Sequence, residues 1–334
     1  MKINKVAVIG TNIRDYARTH NLIKKVANLF WKLLLYCVVF GLCFIILQPF
    51  LLKISSAFMS TKDVLDVTVV YIPKHFSTTF PEHVFKVMEY WKAFFNSLWL
   101  SVMVGVLQVF FSALVAYGFA RFKFPGRSLL FGLLIFTMVV PPFVTMIPQY
   151  LHFQNFDILG IYGLISGTSK GVNILNSVWP FILTSITVTG YKCGLYVYLL
   201  RQLYRGLPKE LEEAAYLDGC SSFGTYFKIV MPSGTSMMVV CFMLSFVWQW
   251  TDSFFTGFYT PNMVTISQKL TSVVALASSS VMDEMGLSMG LTPPIAFATA
   301  TGNTAVLLAV IPLFLIYLFA QRFLIESIEH SGLK

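Results

Sequence analysis

Six long apolar runs, separated by shorter polar and basic segments, dominate the pattern of residues along the chain. They cover about residues 30–52, 94–118, 128–151, 177–200, 236–258 and 301–320. A helix needs about 20 mostly apolar residues to cross the hydrocarbon core of a bilayer, and each run has that length. The pattern therefore predicts an all-α, polytopic membrane protein with about six transmembrane helices.

The basic residues in the connections predict how these helices are oriented. They are concentrated before the first run, between the second and third runs, and between the fourth and fifth runs, and they include Arg14, Arg18, Lys24, Lys25, Arg121, Lys123, Arg127, Arg201, Arg205 and Lys209. Lys and Arg favour the cytoplasmic side of a bacterial membrane. We therefore expect a multi-pass protein of the bacterial cell membrane with both termini cytoplasmic.

Two regions are predicted from this arrangement. Residues 1–29 form a cytoplasmic amino-terminal segment, for which an amphipathic helix on the inner leaflet and a disordered basic leader both remain open. Residues 30–334 form one transmembrane domain, with a cytoplasmic loop at about 207–232 and a cytoplasmic carboxyl tail at about 321–334. Prolines inside the runs, such as Pro141, predict bent helices of the kind that surround a cavity.

The composition excludes a water-soluble protein, and the absence of a phosphate-binding motif argues against a protein that hydrolyses ATP itself. Hydrophobic residues make up 56% of the chain and charged residues 12%, which is too little polar material for an aqueous surface. The net charge of +9 lies between apolar runs, so it indicates contact with the lipid bilayer and not with nucleic acid. A phosphate-binding loop needs a Gly-Lys pair, which the chain lacks. We expect no catalytic residues, no metal site and no cofactor bound by this chain.

The loop between the fourth and fifth runs has strong helix signals. Pro208 suits a first helical turn, acidic residues follow at the favourable end of the helix dipole, and Gly219 suits its end. A second short element runs from about Ser222 to Val230 and stops at Pro232. The loop is predicted to be a cytoplasmic helix-turn-helix.

This loop resembles the EAA motif of ABC importer permeases. Glu213-Ala214-Ala215, Gly219, Ile229 and Pro232 have the spacing of that motif, with Met231 where Leu is usual. Residues 116–127, 140–148, 199–202 and 321–323 further resemble the carbohydrate-uptake branch of that family, in particular the maltose-type second permease. Together the resemblance covers about residues 30–334.

The resemblance implies a machine of several subunits. Its expected partners are a second, different permease, two ATPase subunits that use ATP and Mg, an extracellular or periplasmic solute-binding protein, and a sugar. The helix in the loop would be a coupling helix that meets the ATPase through Glu210, Glu213, Ala214, Ala215, Asp218, Gly219, Ile229 and Pro232. This chain would form half of the translocation path.

Candidate residues of the solute path lie in the fourth to sixth runs. Lys192, inside the fourth run, is costly at the middle of a bilayer. Contact with an acidic sugar, an ion pair with the second permease, and a shifted span with Lys192 near an interface all remain open. Trp248, Gln249 and Trp250 suit sugar stacking or an interfacial aromatic belt, and Asn303 suits the path or a bond to a neighbouring helix. The alternatives for the whole protein are a permease for another solute and a secondary transporter.

Overall fold

The computed structural model describes residues 3–158, 160–167, 171–286 and 292–332, and these residues are predominantly α-helical. They fall into two units, residues 1–77 and residues 78–334. The prediction of an all-α polytopic protein is confirmed. The helicity of the amino-terminal 29 residues extends to Ile3, but the side chains that would make that helix amphipathic lie largely outside the described residues.

The first unit contains α1 (Ile3–Ala57) and α2 (Thr61–Leu65), followed by an irregular segment that ends at Ser77. Between Leu29 and Ile54 the large apolar side chains of α1 are exposed around the whole circumference of the helix. An apolar helix without a polar face is expected in contact with lipid or with another hydrophobic surface.

The second unit begins with α3 (Thr79–Val87), α4 (Tyr90–Arg121), α5 (Arg127–Val139), α6 (Pro142–Gln154), α7 (Ile161–Ser166), α8 (Trp179–Ile186) and α9 (Cys193–Gly206). It continues with α10 (Glu210–Leu217), α11 (Ser222–Thr225), a π-helical turn (Tyr226–Val230), α12 (Met231–Ser233), α13 (Thr235–Thr251), α14 (Phe254–Tyr259), α15 (Ile266–Glu284) and α16 (Ile295–Gly332).

Helix α4 lies at the centre of this unit and packs against α9 and α13. A Cβ atom placed on Gly105 of α4 would lie 3.0 Å from the ring of Phe242 on α13, so a residue without a side chain is needed for the two helices to approach this closely. Small residues at such crossings are typical of helix packing in membranes.

Three helical stretches among the described residues are long and apolar enough to span a bilayer unbroken: Asn28–Ala57, Tyr90–Arg121 and Ile295–Arg322. Two more spans are present if bent pairs count, namely α5 with α6, bent by 101°, and Ser222–Ser233 with α13, bent by 76°. The predicted fourth run forms α8 and α9, which are separated by six residues. Each of the six predicted runs is thus largely helical, but only three are continuous helices of spanning length.

Candidate functional site

The second unit has a cavity of about 430 Å³, which is within the usual range for a site that binds a small molecule. Three chain breaks meet at it. Val140 and Pro141 lie between α5 and α6, Val188 to Lys192 lie between α8 and α9, and Asp252 follows α13. Irregular backbone at the depth of a membrane is tolerated where it lines such a cavity.

The break between α5 and α6 confirms the bend predicted from the prolines. Val140 is extended (ψ 122°), as expected for a residue that precedes proline, and α6 starts immediately after Pro141. The break after α13 has a different cause. The Asp252 carboxylate accepts hydrogen bonds from the backbone N–H groups of Phe255 and Thr256 and from Thr256 Oγ1, so it starts α14.

The break between α8 and α9 was not expected from the sequence. Val188 and Lys192 have left-handed backbone conformations, with φ of 58° and 67°. The N–H groups of Thr189 and Gly190 both donate to the carbonyl of Thr184, which closes the end of α8. The sequence placed Lys192 inside a continuous fourth helix, and that expectation is wrong. Lys192 lies immediately before the amino terminus of α9.

The Lys192 side chain lies between two aromatic rings of the cavity wall. Its Nζ is 4.8 Å from the centre of the Tyr191 ring and 5.0 Å from that of Trp248. Within the described part of the chain it makes no ion pair with an acidic residue, and Asp252, the acid in the cavity lining, is engaged in capping α14. The cavity thus has a cation that is held by rings and not by a carboxylate.

The other predicted path residues divide into two groups. Gln249, like Trp248, lines the cavity, and its Nε2 donates to Thr256 Oγ1 at 3.1 Å. Trp250 is 2% exposed, packs in the hydrophobic core and donates from Nε1 to the carbonyl of Ala309. Neither Trp250 nor Asn303, which lies within α16, belongs to the cavity lining. The structure adds Gln108, Gln149 and Tyr191 to that lining, with Gln149 accepting from Tyr259.

The predicted helix-turn-helix of the 207–232 loop is present. Helix α10 contains Glu210, Glu213, Ala214 and Ala215, and Asp218 caps its end through an N–H bond to the Ala214 carbonyl. Gly219 has a φ of 80°, a conformation that glycine adopts at little cost, and it ends the helix as expected. The second element continues further than predicted, through the π-helical turn that contains Ile229 and on to Ser233, so Pro232 lies inside it.

One side of α10 is exposed and the other is buried. Glu210, Glu213 and Ala214 are exposed, together with Leu217, whose side chain is 89% exposed. On the opposite side Ala215 is buried, as is Glu212, which was not among the predicted coupling residues. Of the rest of that predicted set, Asp218, Gly219 and Pro232 are exposed and Ile229 is half-buried.

Glu212 connects α10 to the end of α4. Its Oε1 lies 2.5 Å from Nε of Arg121, and its Oε2 accepts a hydrogen bond from Tyr117 at 3.4 Å. Arg121 also donates from Nη2 to the Leu207 carbonyl at 2.8 Å. The two sequence segments that carried the resemblance, residues 116–127 and the 207–232 loop, are therefore joined by a buried ion pair.

Residues 108–330, more than half of the chain, match the family described as binding-protein-dependent transport system inner membrane component. An arabinooligosaccharide transport system permease of Bacillus subtilis is 30% identical over 73% of this chain and 74% of its own length. A polygalacturonan/rhamnogalacturonan transport system permease of the same organism is 25% identical over 88% of this chain and 95% of its own length.

Among solved structures, the chain is similar in fold to one from a bacterial ABC transporter involved in the import of the acidic polysaccharide alginate. The TM-score is 0.67 at 18% identity, with 86% of this chain and 95% of that chain covered. The buried core around α4, the exposed loop motif and the matched residues agree: this chain is a multi-pass membrane protein that belongs to the family of inner membrane components of binding-protein-dependent ABC importers.

Proposed function

We propose that this chain is one of two different permease subunits of an ATP-driven importer for an oligosaccharide, and that it forms half of the translocation path. The single observation that carries the proposal is the placement of the EAA-like residues. Glu213 and Ala214 are exposed on α10 while Glu212 and Ala215 anchor the same helix to the chain. An anchored helix with one free face can receive a push from another protein and transmit it.

Two ATPase subunits are the proposed source of that push. The exposed face has carboxylates at Glu210 and Glu213 and an apolar surface at Leu217, which suits a partner cleft with both basic and apolar groups. Asp218, Gly219, Ile229 and Pro232 shape the turn and the second element behind it. ATP and Mg would be bound by those partners, and an extracellular or periplasmic binding protein would deliver the solute.

A carbohydrate cargo is supported by the names of the relatives, which are permeases for arabinooligosaccharides and for polygalacturonan or rhamnogalacturonan. The chemistry of the cavity agrees, since aromatic rings at Trp248 and Tyr191 lie beside the amides of Gln108, Gln149 and Gln249. Rings pack on the apolar face of a sugar, and amides bond to its hydroxyl groups. Trp250 and Asn303 are better explained by helix packing than by solute contact.

An acidic sugar is the proposed subclass, and Lys192 is the proposed contact. Lys192 is the capping residue at the amino terminus of α9, where the helix dipole disfavours a cation and favours an anion. No carboxylate of the described residues neutralises it. A uronate carboxylate in the cavity would interact favourably with both the lysine and the helix end.

Reconstitution in proteoliposomes tests the assembly. The chain should copurify with a different permease and an ATPase, and uptake of oligosaccharide should require ATP and the binding protein. Glu213→Gln should lower ATP-driven uptake, whereas Lys62→Met, an exposed change far from the loop in sequence, should not. Transport by this chain alone without ATP would contradict the proposal.

The acidic subclass is tested separately by Lys192→Met. We expect uptake of a uronate oligosaccharide to fall at least tenfold, which is about 1.4 kcal/mol, while uptake of a neutral oligosaccharide changes little. Equal losses for the two sugars would contradict the acidic subclass and leave the importer proposal intact.

A further inference from the structure

The segment that follows α2 is a loop whose two ends are held together by polar contacts. Asp66 Oδ2 accepts from Lys74 Nζ at 2.8 Å, and Asp66 Oδ1 accepts from the N–H and the hydroxyl of Thr68. Next to this closure, the Asp63 carboxylate accepts from the N–H of His75 at 2.6 Å and lies 2.9 Å from His75 Nδ1. Residues 66–74 therefore form a closed loop with a charged base.

The tip of this loop is apolar. Residues 67–72, with the sequence Val-Thr-Val-Val-Tyr-Ile, have no charged side chain. Val67 is 94% exposed and Ile72 is 80% exposed, and Val70 and Tyr71 are each about half exposed. Scattered apolar residues on a surface need no explanation, but this contiguous apolar tip above a charged base indicates an interaction site.

A hydrogen bond to α1 fixes where the tip lies. Gln48 Nε2 donates to the Tyr71 hydroxyl at 3.0 Å. Gln48 precedes Ala57, the last residue of α1, by nine residues, so the loop folds back along the helix by about 13 Å. The tip therefore does not extend away from the end of α1 into solvent.

The position of Gln48 in the apolar run gives the depth. Residues 33–52, between Lys32 and Lys53, have no charge and number 20, which corresponds to about 30 Å of helix and to the thickness of the hydrocarbon core. Gln48 lies four residues inside the Lys53 end of this run, or about 6 Å. The Tyr71 hydroxyl gives the Gln48 amide a partner at a depth where an unpaired amide is costly.

We propose that the 66–74 loop is a membrane anchor that inserts Val67, Val70 and Ile72 into the outer leaflet beside α1, with Tyr71 at the boundary between lipid tails and head groups. The partner is the lipid surface. Its apolar tip is continuous with the fully exposed apolar surface of α1, which must itself face a hydrophobic environment. Tyrosine is enriched at this boundary, and the closed charged base is suited to the head groups.

The backbone of the loop limits how deep it goes. A non-helical segment in hydrocarbon leaves N–H and C=O groups without partners, which costs several kcal/mol for each group. The tip backbone is therefore expected among the head groups, with only side chains reaching the tails. In this position the loop limits how far the outer end of α1 can move into the membrane.

Spin labelling of the assembled transporter in lipid bilayers tests the proposal. A label is attached at Ile72→Cys or, as a control on the adjacent helix α2, at the exposed Lys62→Cys, in a background whose five native cysteines are replaced. Collision rates with oxygen, which concentrates in lipid, and with a water-soluble nickel chelate are then compared. We expect the ratio of oxygen to nickel accessibility to be several-fold higher at residue 72 than at residue 62.

Two outcomes would overturn the anchor. Equal accessibility to the nickel chelate at both positions would place the tip in water. Protection of residue 72 from both reagents would indicate a protein contact, such as the second permease or the binding protein. A Tyr71→Phe variant with the label at residue 72 adds an internal check, because loss of the Gln48 hydrogen bond should lower the oxygen to nickel ratio without unfolding the transporter.

Discussion

Arg121 and Glu212 form a buried ion pair that fixes α10 to the end of α4. Their Nε and Oε1 atoms are 2.5 Å apart, and the two side chains are 9% and 10% exposed. Removing one partner from a pair of this kind leaves an unpaired buried charge, which costs more than the pair itself contributes. The pair makes α10 an integral part of the second unit and not a loosely attached loop.

Glu212→Gln should therefore destabilise the protein by about 3–5 kcal/mol, because the Arg121 guanidinium would remain buried without its partner. Thermal unfolding of the purified complex measures the change. The matched control is Glu213→Gln, one residue further on the exposed side of α10, which should leave the unfolding temperature unchanged while lowering ATP-driven uptake. Equal loss of stability in the two variants would contradict the different roles of these glutamates.

Trp248→Ala should weaken solute affinity, because the ring holds the Lys192 ammonium from one side at 5.0 Å. A cation–π contact of this kind contributes about 0.5–2 kcal/mol, so the apparent KM for uptake should rise about 2- to 30-fold. Trp250→Ala should instead cost about 3–5 kcal/mol of stability, since that ring is buried in the core. A rise in KM for Trp250→Ala without loss of stability would contradict this division.

Gly105→Ala should separate α4 from α13, because the new methyl group would lie 3.0 Å from the Phe242 ring. Overpacking of this kind costs about 1–3 kcal/mol. Gly41→Ala, in α1, is the matched control, since nothing lies within 4 Å of a Cβ atom there. Thermal unfolding should show a loss for the first variant and no loss for the second, and similar behaviour of the two would mean that the helices do not approach at Gly105.

The Asp66 contacts that close the 66–74 loop should be insensitive to pH in the neutral range. Hydrogen bonds from Lys74 and Thr68 hold the pKa of Asp66 below its ordinary value of 3.8. The carboxylate is therefore ionised in the closed loop at every pH above that value, and its contribution declines only as the pH falls toward the lowered pKa.

The difference in mobility of a spin label at residue 72 between the Asp66→Asn variant and the unsubstituted loop should accordingly stay constant between about pH 5 and pH 8. Asp66→Asn should increase that mobility throughout this range, because the amide loses the charge that attracts Lys74. A change of that difference between pH 5 and pH 8 would contradict a constant contribution of Asp66 and would point to His75, which contacts Asp63.

Local patterns were sufficient to predict the helices, the bend at Pro141 and the end of α10 at Gly219. The break between α8 and α9 was not predictable in the same way. Valine and lysine disfavour left-handed conformations, so nothing local marks Val188 and Lys192 as break residues. Gly190 is the remaining signal: a Cβ atom there would lie 2.8 Å from Gln108 Nε2, a contact that only the folded chain brings about.

The candidate site was partly predictable for a related reason. Trp248 and Trp250 are two residues apart and therefore differ by about 200° around a helix, so only one of them can face the cavity. The residue types alone do not say which one. Glu212 stands among three acids of similar type. Glu212 is buried because it pairs with Arg121, which is distant in sequence. Its three-residue spacing to Ala215 also places Glu212 and Ala215 on the same buried side of α10.

The break before α9 has a mechanical consequence. Helix α9 packs on α4 and leads into the loop that the Arg121–Glu212 ion pair holds to α4. Helix α8, which also packs on α4, is joined to α9 in the chain by six non-helical residues. If α9 rotated as a rigid body, Lys192 at its amino-terminal end would move with it. Changes in the backbone torsions of those six residues would reduce the motion that reaches α8. The break therefore provides a pivot next to the cavity, and a small displacement at the α10 end of α9 would change the position of the Lys192 charge.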